Sequence, residues 1–435
     1  MGERASGDVE ASMGLYDDAE LQAYVGELGQ HVAAASERPH LPWRFKVIDS
    51  PVVNAFALPG GYVYVTRGIL AYVGSEAALM GVIGHEIGHV TARHHVEQQL
   101  AGLGLNVGTI FSEVRPFGDV LGGGLGILLL KFGRDAERES DRLGARYSIA
   151  QGYDATDMAH FFSVLGRLSG SEQNVPSWAS THPDPADREA TILALVAEHA
   201  GRHSDLESRR SEYLSEIEGL VFGENPREGF MRGRRFLHPD LEFKLTYPEA
   251  WNVENTKTVV YAASPDGDAA LQLTGARVAA GTTPATHARE FFRRYDIDYG
   301  TGERLRVGPF TAYRAPFLTR TQTGELYGVA GFIVDDDFVY ELVGLTRRNA
   351  IRRYTPVFHE VIESFDRLRD RSALEIEPRT IHLYEVPRAV AFRDALHLAG
   401  MEEEHFDELS LLNNTMLDAE VAAGETIKVV RRGAP

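Results

Sequence analysis

The stretch GVIGHEIGHVTARHH, residues 81–95, sets His85, Glu86 and His89 in the order His-Glu-x-x-His among Val82, Ile83, Ile87 and Val90. Apolar residues recur at three- and four-residue spacing from Ser75 to Leu100, which predicts a buried helix. Positions four apart on a helix share one face, so His85 and His89 bring one ring nitrogen each to a common point. Glu86, one step round, can reach a metal-bound water there without competing as a ligand. A hydrolytic metal of this kind takes three protein ligands and keeps one position for water, so a third ligand is needed.

It is expected from a second helix in FGRDAERESDRLGARY, residues 132–147, where Glu137 and Asp141 stand one turn apart. Glu137 is read as the third ligand. Asp141, on the same face, would accept the outer N–H of a metal-bound histidine, fixing its tautomer and raising its basicity. Glu139 competes for the ligand role but points to another side of the helix and is read as solvated. In STHPDPADREA, residues 180–190, His182 and Arg188 are candidates to stabilise an oxyanion. Alternatively, His182 fills the open metal position and holds the site off. The plain reading of the same turn is a loop whose Asp184 or Asp187 caps the next helix.

Moving outward, the 435 residues are 43% hydrophobic and 25% charged, the composition of a globular chain of two or three domains. The formal charge of −19 argues against nucleic acid as a partner. With no cysteine, any metal must be held by His, Asp or Glu. The first fifteen residues are polar and small, read as a flexible N-terminus without a signal peptide in the chain as given. The most apolar run, VLGGGLGILLLKF at 120–132, is shorter than the roughly 20 residues a membrane-spanning helix needs. It is read as a buried or membrane-grazing segment, with peripheral membrane association as its functional form, and its glycine run at 122–126 as a simple packing element or, alternatively, as a lid over the cleft.

Residues 16–201 are mostly helical, with three short strands, RFKVID, NAFALP and YVYVTRG, ahead of the motif helix. Residues 202–226 are read as a linker, 227–370 as an α+β domain whose aromatics Trp251, Tyr261, Tyr327 and Tyr340 belong to its core, and 371–435 as a βααβ unit. The fold class is therefore α+β. The strand YVYVTRG is expected to offer an edge to an extended substrate, with Asn54 as a candidate contact to the substrate backbone.

HEIGH, NAFALPGGYVYVTRGIL, ERESD and STHPDPADR together resemble the HtpX/BepA-like zinc metallopeptidases of peptidase family M forty-eight, over about residues 16–200. The resemblance implies a mainly helical zincin-type domain with a small sheet. It implies one Zn2+ per chain on His85, His89 and Glu137, Glu86 as catalytic acid/base, and His182 as a histidine that regulates or assists the metal. It also implies protein or peptide substrates and a bacterial periplasmic or envelope location. Ser140 stands where the family commonly has alanine, and the helical repeats of its periplasmic members are absent. The terminal unit, with ELSLLNN and GETIKV, resembles a LysM module, which implies binding to peptidoglycan. The usual turn after its first strand is replaced by PRAVAF. Two functions follow as expectations: a zinc endopeptidase for unfolded or flexible segments in envelope quality control, or a latent chaperone-like or wall-binding scaffold closed by His182.

Overall fold

The computed structural model describes residues 2–94, 132–169, 182, 185–199, 205–321 and 324–433. Three strands, β1 (Arg44–Ile48), β2 (Ala55–Leu58) and β3 (Tyr62–Thr66), precede helix α4 (Glu76–Thr91). Alternation puts Ala55, Ala57, Val63 and Val65 on one face of this sheet, in the same apolar core as Leu79, Val82, Ile83 and Ile87 of α4. Ser75 starts α4 by accepting the N–H of Ala78 at 3.1 Å. From Glu76 to Val90 every residue of α4 is buried, so the helix is a central rod rather than an amphipathic surface element.

The order β1-β3-β2 makes β3 the central strand, parallel to β1 and antiparallel to β2. The expectation that YVYVTRG supplies a free edge is therefore corrected: β2 is the outer strand nearest α4. Around α4 pack α2 (Ala19–Ala34), α5 (Arg134–Ala150) and α6 (Thr156–Ser169), and α7 (Pro185–His199) lies against α5 and α6.

Small residues set the distance between α4 and α5. A Cβ added at Gly84 would lie 2.9 Å from the Cα of Gly144, and one at Gly144 would lie 2.7 Å from the backbone nitrogen of His85. Gly88 opposes Ser140 in the same way, at 3.0 Å from its Cα. The two backbones approach as closely as side-chain-free surfaces allow, which brings Glu137 and Asp141 beside the motif histidines.

Three boundaries differ from the sequence reading. Residues 1–15, expected to be flexible, contain α1 (Gly2–Met13), whose Val9 and Met13 pack on Ile48, Phe56, Leu58 and Tyr64. Their four-residue spacing is hidden in a glycine-, serine- and acid-rich context. The expected linker contains α8 (Arg210–Glu216), with Tyr213 buried and its hydroxyl donating to the Leu70 carbonyl at 2.5 Å. In the terminal unit β7 (Arg379–Glu385) runs antiparallel to β8 (Thr426–Arg432), with α11 (Phe392–Leu398) and α12 (Phe406–Leu412) between them and a further two-residue pairing of Val390–Ala391 with Glu420–Val421. Its core, however, is continuous with that of the motif domain. Buried Lys428 donates to the carbonyls of Ala71 and Val73, at 2.6 and 2.9 Å, at the C-terminal end of α3 (Arg67–Tyr72).

The middle domain is built on an eight-stranded antiparallel sheet whose long strands are β4 (Phe310–Thr321), β5 (Gly324–Asp335) and β6 (Phe338–Arg347). Alternate residues of β5 face opposite ways. Leu326, Ala330 and Phe332 pack with α9 (Pro284–Arg294), while Val329 and Ile333 pack with α10 (Ile351–Glu363). Tyr261 and Tyr340 are core residues, whereas Trp251 and Tyr327 are half-buried. The run at 120–132 lies outside the described residues apart from Phe132. No described helix is long and apolar enough to cross a membrane.

Gly144→Ala is expected to push α5 off α4 and destabilise the chain by about 1–3 kcal/mol, the usual range for overpacking. Urea denaturation reads this directly, and an unchanged midpoint would show that the contact tolerates a methyl group.

Candidate metal centre

His85, Glu86 and His89 project from α4, Glu137 and Asp141 from α5, and Arg188 from α7, with His182 just ahead of α7. All seven are buried, none more than 2% exposed. The Nε2 atoms of His85 and His89 are 2.9 Å apart. Carboxylate oxygens of Glu137 lie 3.6 and 3.5 Å from them. His182 Nδ1 is 3.0 and 2.9 Å from the two Glu137 oxygens and 3.3 Å from His85 Nε2. Ligand atoms from His85, His89, Glu137 and His182 all lie within 4.8 Å of one another.

The chemistry of this set fits a divalent cation. Asp141 Oδ1 lies 2.8 Å from His85 Nδ1, and an ionised carboxylate only accepts, so His85 carries its proton on Nδ1 and turns a lone pair on Nε2 inward. If His89 has the same tautomer, two lone pairs face each other at hydrogen-bond distance, an arrangement that a cation between them relieves. Three buried carboxylates, Glu86, Glu137 and Asp141, oppose one buried guanidinium, Arg188. Fully ionised, they leave two net negative charges for a divalent ion to balance.

Arg188 binds Asp141 in a fork, Nε to Oδ2 at 2.8 Å and Nη2 to Oδ1 at 2.6 Å, so that Nη2 and His85 Nδ1 share one acceptor oxygen. Its Nη1 lies 3.4 Å from Glu137, and its guanidinium sits 4.1 Å above the Phe162 ring. Burial alone would raise the Asp141 carboxyl, but Arg188 holds it well below the usual carboxylate range. Burial and the neighbouring Arg188 push the His85 imidazole down to about 4, which keeps it neutral and able to ligate. Burial would also raise Glu137, and His182 beside it reverses the shift.

Glu86 is different. Burial pushes its carboxyl up to about 7, near the working range of a general base. The Ala57 amide on β2 and the nearby His182 and Arg188 offset part of that rise, its Oε1 has no hydrogen-bond partner among the described residues, and His182 Nε2 is 3.8 Å away. Asn54, one residue ahead of β2, is 1% exposed, and neither its amide oxygen nor its amide nitrogen has a hydrogen-bond partner among the described residues.

Two residues near the centre went unread in the sequence. His94 lies 3.0 Å from His89, Nδ1 to Nδ1, and Phe132 stacks on the His89 ring at 3.9 Å. The His94-His95 doublet after the motif was the available signal for the first. Nothing in the sequence pointed to Phe132. Glu139 is not among the converging ligands: its carboxylate is 53% exposed and reaches His94 Nε2 at 3.3 Å.

A helix-borne His-Glu-x-x-His set completed by a glutamate from a second helix defines the metallopeptidase class. Residues 19–196 match the model of Peptidase family M48. A protein of Vibrio cholerae named putative beta-barrel assembly-enhancing protease is 31% identical over 254 residues, 54% of this chain and 52% of the relative. The mitochondrial metalloendopeptidase OMA1 of Arabidopsis thaliana is 33% identical over 39% of this chain and 35% of its own length. The beta-barrel assembly-enhancing protease of Escherichia coli is 28% identical over 43% of this chain and 41% of its own length. The chain thus spans about half or less of the length of these relatives.

Replacing Arg188 with Leu leaves Asp141 buried without its counter-charge, and a loss of about 3–5 kcal/mol is expected from breaking such a pair. Arg188→Lys, which keeps the charge but not the fork, should fall between. Equal stability of Leu and wild-type chains in chemical denaturation would contradict the pairing.

Proposed function

We propose that this chain is a zinc-dependent metalloendopeptidase acting on unfolded or flexible protein segments in the bacterial cell envelope. The observation that carries the reading is Glu86: a buried carboxylate raised toward neutrality, one oxygen without a hydrogen-bond partner among the described residues, beside three converging ligands. A binding scaffold has no use for a general base at that point.

His85, His89 and Glu137 would hold the metal, and zinc there would supply Lewis acidity for a substrate carbonyl and for a water molecule. Glu86 takes the proton of the attacking water and delivers it to the leaving amine. Asp141 and Arg188 keep His85 in the ligating tautomer. The outer strand β2, the one nearest the motif helix, is the edge to which an extended substrate adds. Backbone pairing of that kind reads shape more than sequence, which suits unfolded segments. Asn54, with an amide oxygen and nitrogen to offer, is the companion contact to the substrate backbone. The envelope location rests on the names of the bacterial relatives. The βααβ order of the terminal unit adds peptidoglycan as a ligand, tested by co-sedimentation with insoluble peptidoglycan.

One further observation favours a latent state: His182 lies within ligand range of the same centre and bonds to Glu137. In that reading His182 occupies the position that water needs.

Casein cleavage by the zinc-loaded chain should be abolished by a chelator, restored by zinc, and reduced about 10²–10⁴-fold in Glu86→Gln with zinc still bound. Cleavage that survives Glu86→Gln refutes the general-base role. Absence of cleavage in the wild type together with cleavage by His182→Ala identifies the latent form, and absence in both removes the peptidase reading.

A further inference from the structure

The ligand His85 has Asp141 behind it, whereas His89 has another imidazole. Helix α4 ends at Thr91, and Arg93 adopts the left-handed conformation, φ +62°, at a place where helix ends favour glycine. That turn sends the chain back over the last helical turn and places His94, 4% exposed, against His89. The two Nδ1 atoms are 3.0 Å apart. On its far side, His94 Nε2 lies 3.3 Å from Glu139 Oε2, and Ser140 Oγ is 3.4 Å from His94 Nδ1.

Only one proton fits between two ring nitrogens at that distance. If His94 supplied it, neutral His89 would carry its own proton on Nε2 and could not give that lone pair to a metal. An ionised Glu139 only accepts, so it draws the His94 proton to Nε2 and leaves His94 Nδ1 as an acceptor. His89 then donates from Nδ1 and turns Nε2 inward. The polarity runs in one direction from the half-exposed carboxylate through two imidazoles to the ligand position.

We propose that His94, oriented by Glu139, is a positioning residue that fixes the tautomer and ring plane of His89 for metal binding. The inference rests on the metal reading of the preceding section and adds to it a residue outside the ligand set. It also gives the acidic Glu139 a role distinct from coordination. Partners of this kind behind a ligating histidine typically contribute 10–100-fold to metal affinity.

The test is the zinc dissociation constant of the full chain, measured by competition with a chromophoric chelator. The variants are His94→Phe, His94→Leu and His94→Gln, with His85→Ala as the reference for a lost ligand. The Phe and Leu variants keep bulk and remove the acceptor, so zinc binding should weaken about 10–100-fold. The amide oxygen of His94→Gln can accept from His89 Nδ1 and should recover most of the loss. Thermal melting of the metal-free proteins identifies folded variants, and Leu stands in for Phe if Phe does not fold. Wild-type affinity in a folded Phe or Leu variant overturns the inference, as does a Gln variant as weak as they are. Zinc binding by the wild type that His85→Ala abolishes keeps the metal reading intact in either case. A wild-type chain that takes up no zinc removes both.

Discussion

The close approach of α4 and α5 is the constraint on which the centre depends. Gly84 and Gly144 meet with no side chain between them, and Gly88 meets Ser140 one turn further along. Helices separated by ordinary side chains pack about 8–10 Å apart, and the bare contact of Gly84 with Gly144 sets Glu137 and Asp141 close against the motif helix. Here the backbones do the positioning and the ligand side chains remain short and fixed. Glycine in a helix interior costs about 1 kcal/mol against alanine. At Gly84 and Gly144 that cost is offset by contacts no larger residue could make.

The electrostatics follow from the same burial. A dry, crowded centre disfavours every charge in it, and each group answers differently according to its neighbours. Asp141 keeps its charge because Arg188 forks onto it, His85 stays neutral, and Glu86 rises toward neutrality because nothing compensates its burial fully. Three carboxylates within one small volume thus acquire three characters: counter-ion, ligand and proton carrier. Arg188 is the common element, touching Asp141 and Glu137 and stacking on Phe162.

The pairs His85/His89 and Glu137/Asp141 are legible in the chain because helical spacing decides which residues of one helix share a face, whereas the place of His182 rests on the family resemblance and the fork of Arg188 on Asp141 is set by tertiary packing. The order of the three short strands is not legible there, since period-2 alternation fixes faces but says nothing about neighbours, and β3 lies at the centre of the sheet rather than at its edge. Helix α1 escaped because its apolar residues are few and set among glycine, serine and acids. The segment at 202–226 looked like a linker because its buried Tyr213 and Leu214 are outnumbered by charges. His94 escaped for another reason: its approach to His89 depends on the left-handed turn at Arg93, a residue type that gives no hint of that conformation.

The side-chain nitrogen of Lys428 and the carbonyls it binds on Ala71 and Val73 belong to residues 357 and 355 positions apart along the chain. Contacts of such long range close late, because loop-closure entropy must be overcome before they contribute. During synthesis the ribosome releases the motif helix hundreds of residues before the strand that carries Lys428. The domain therefore waits with part of its apolar core uncovered until the strand that carries Lys428 arrives. The motif helix is in this way kept structurally unfinished until a strand made more than three hundred residues later arrives to cover it.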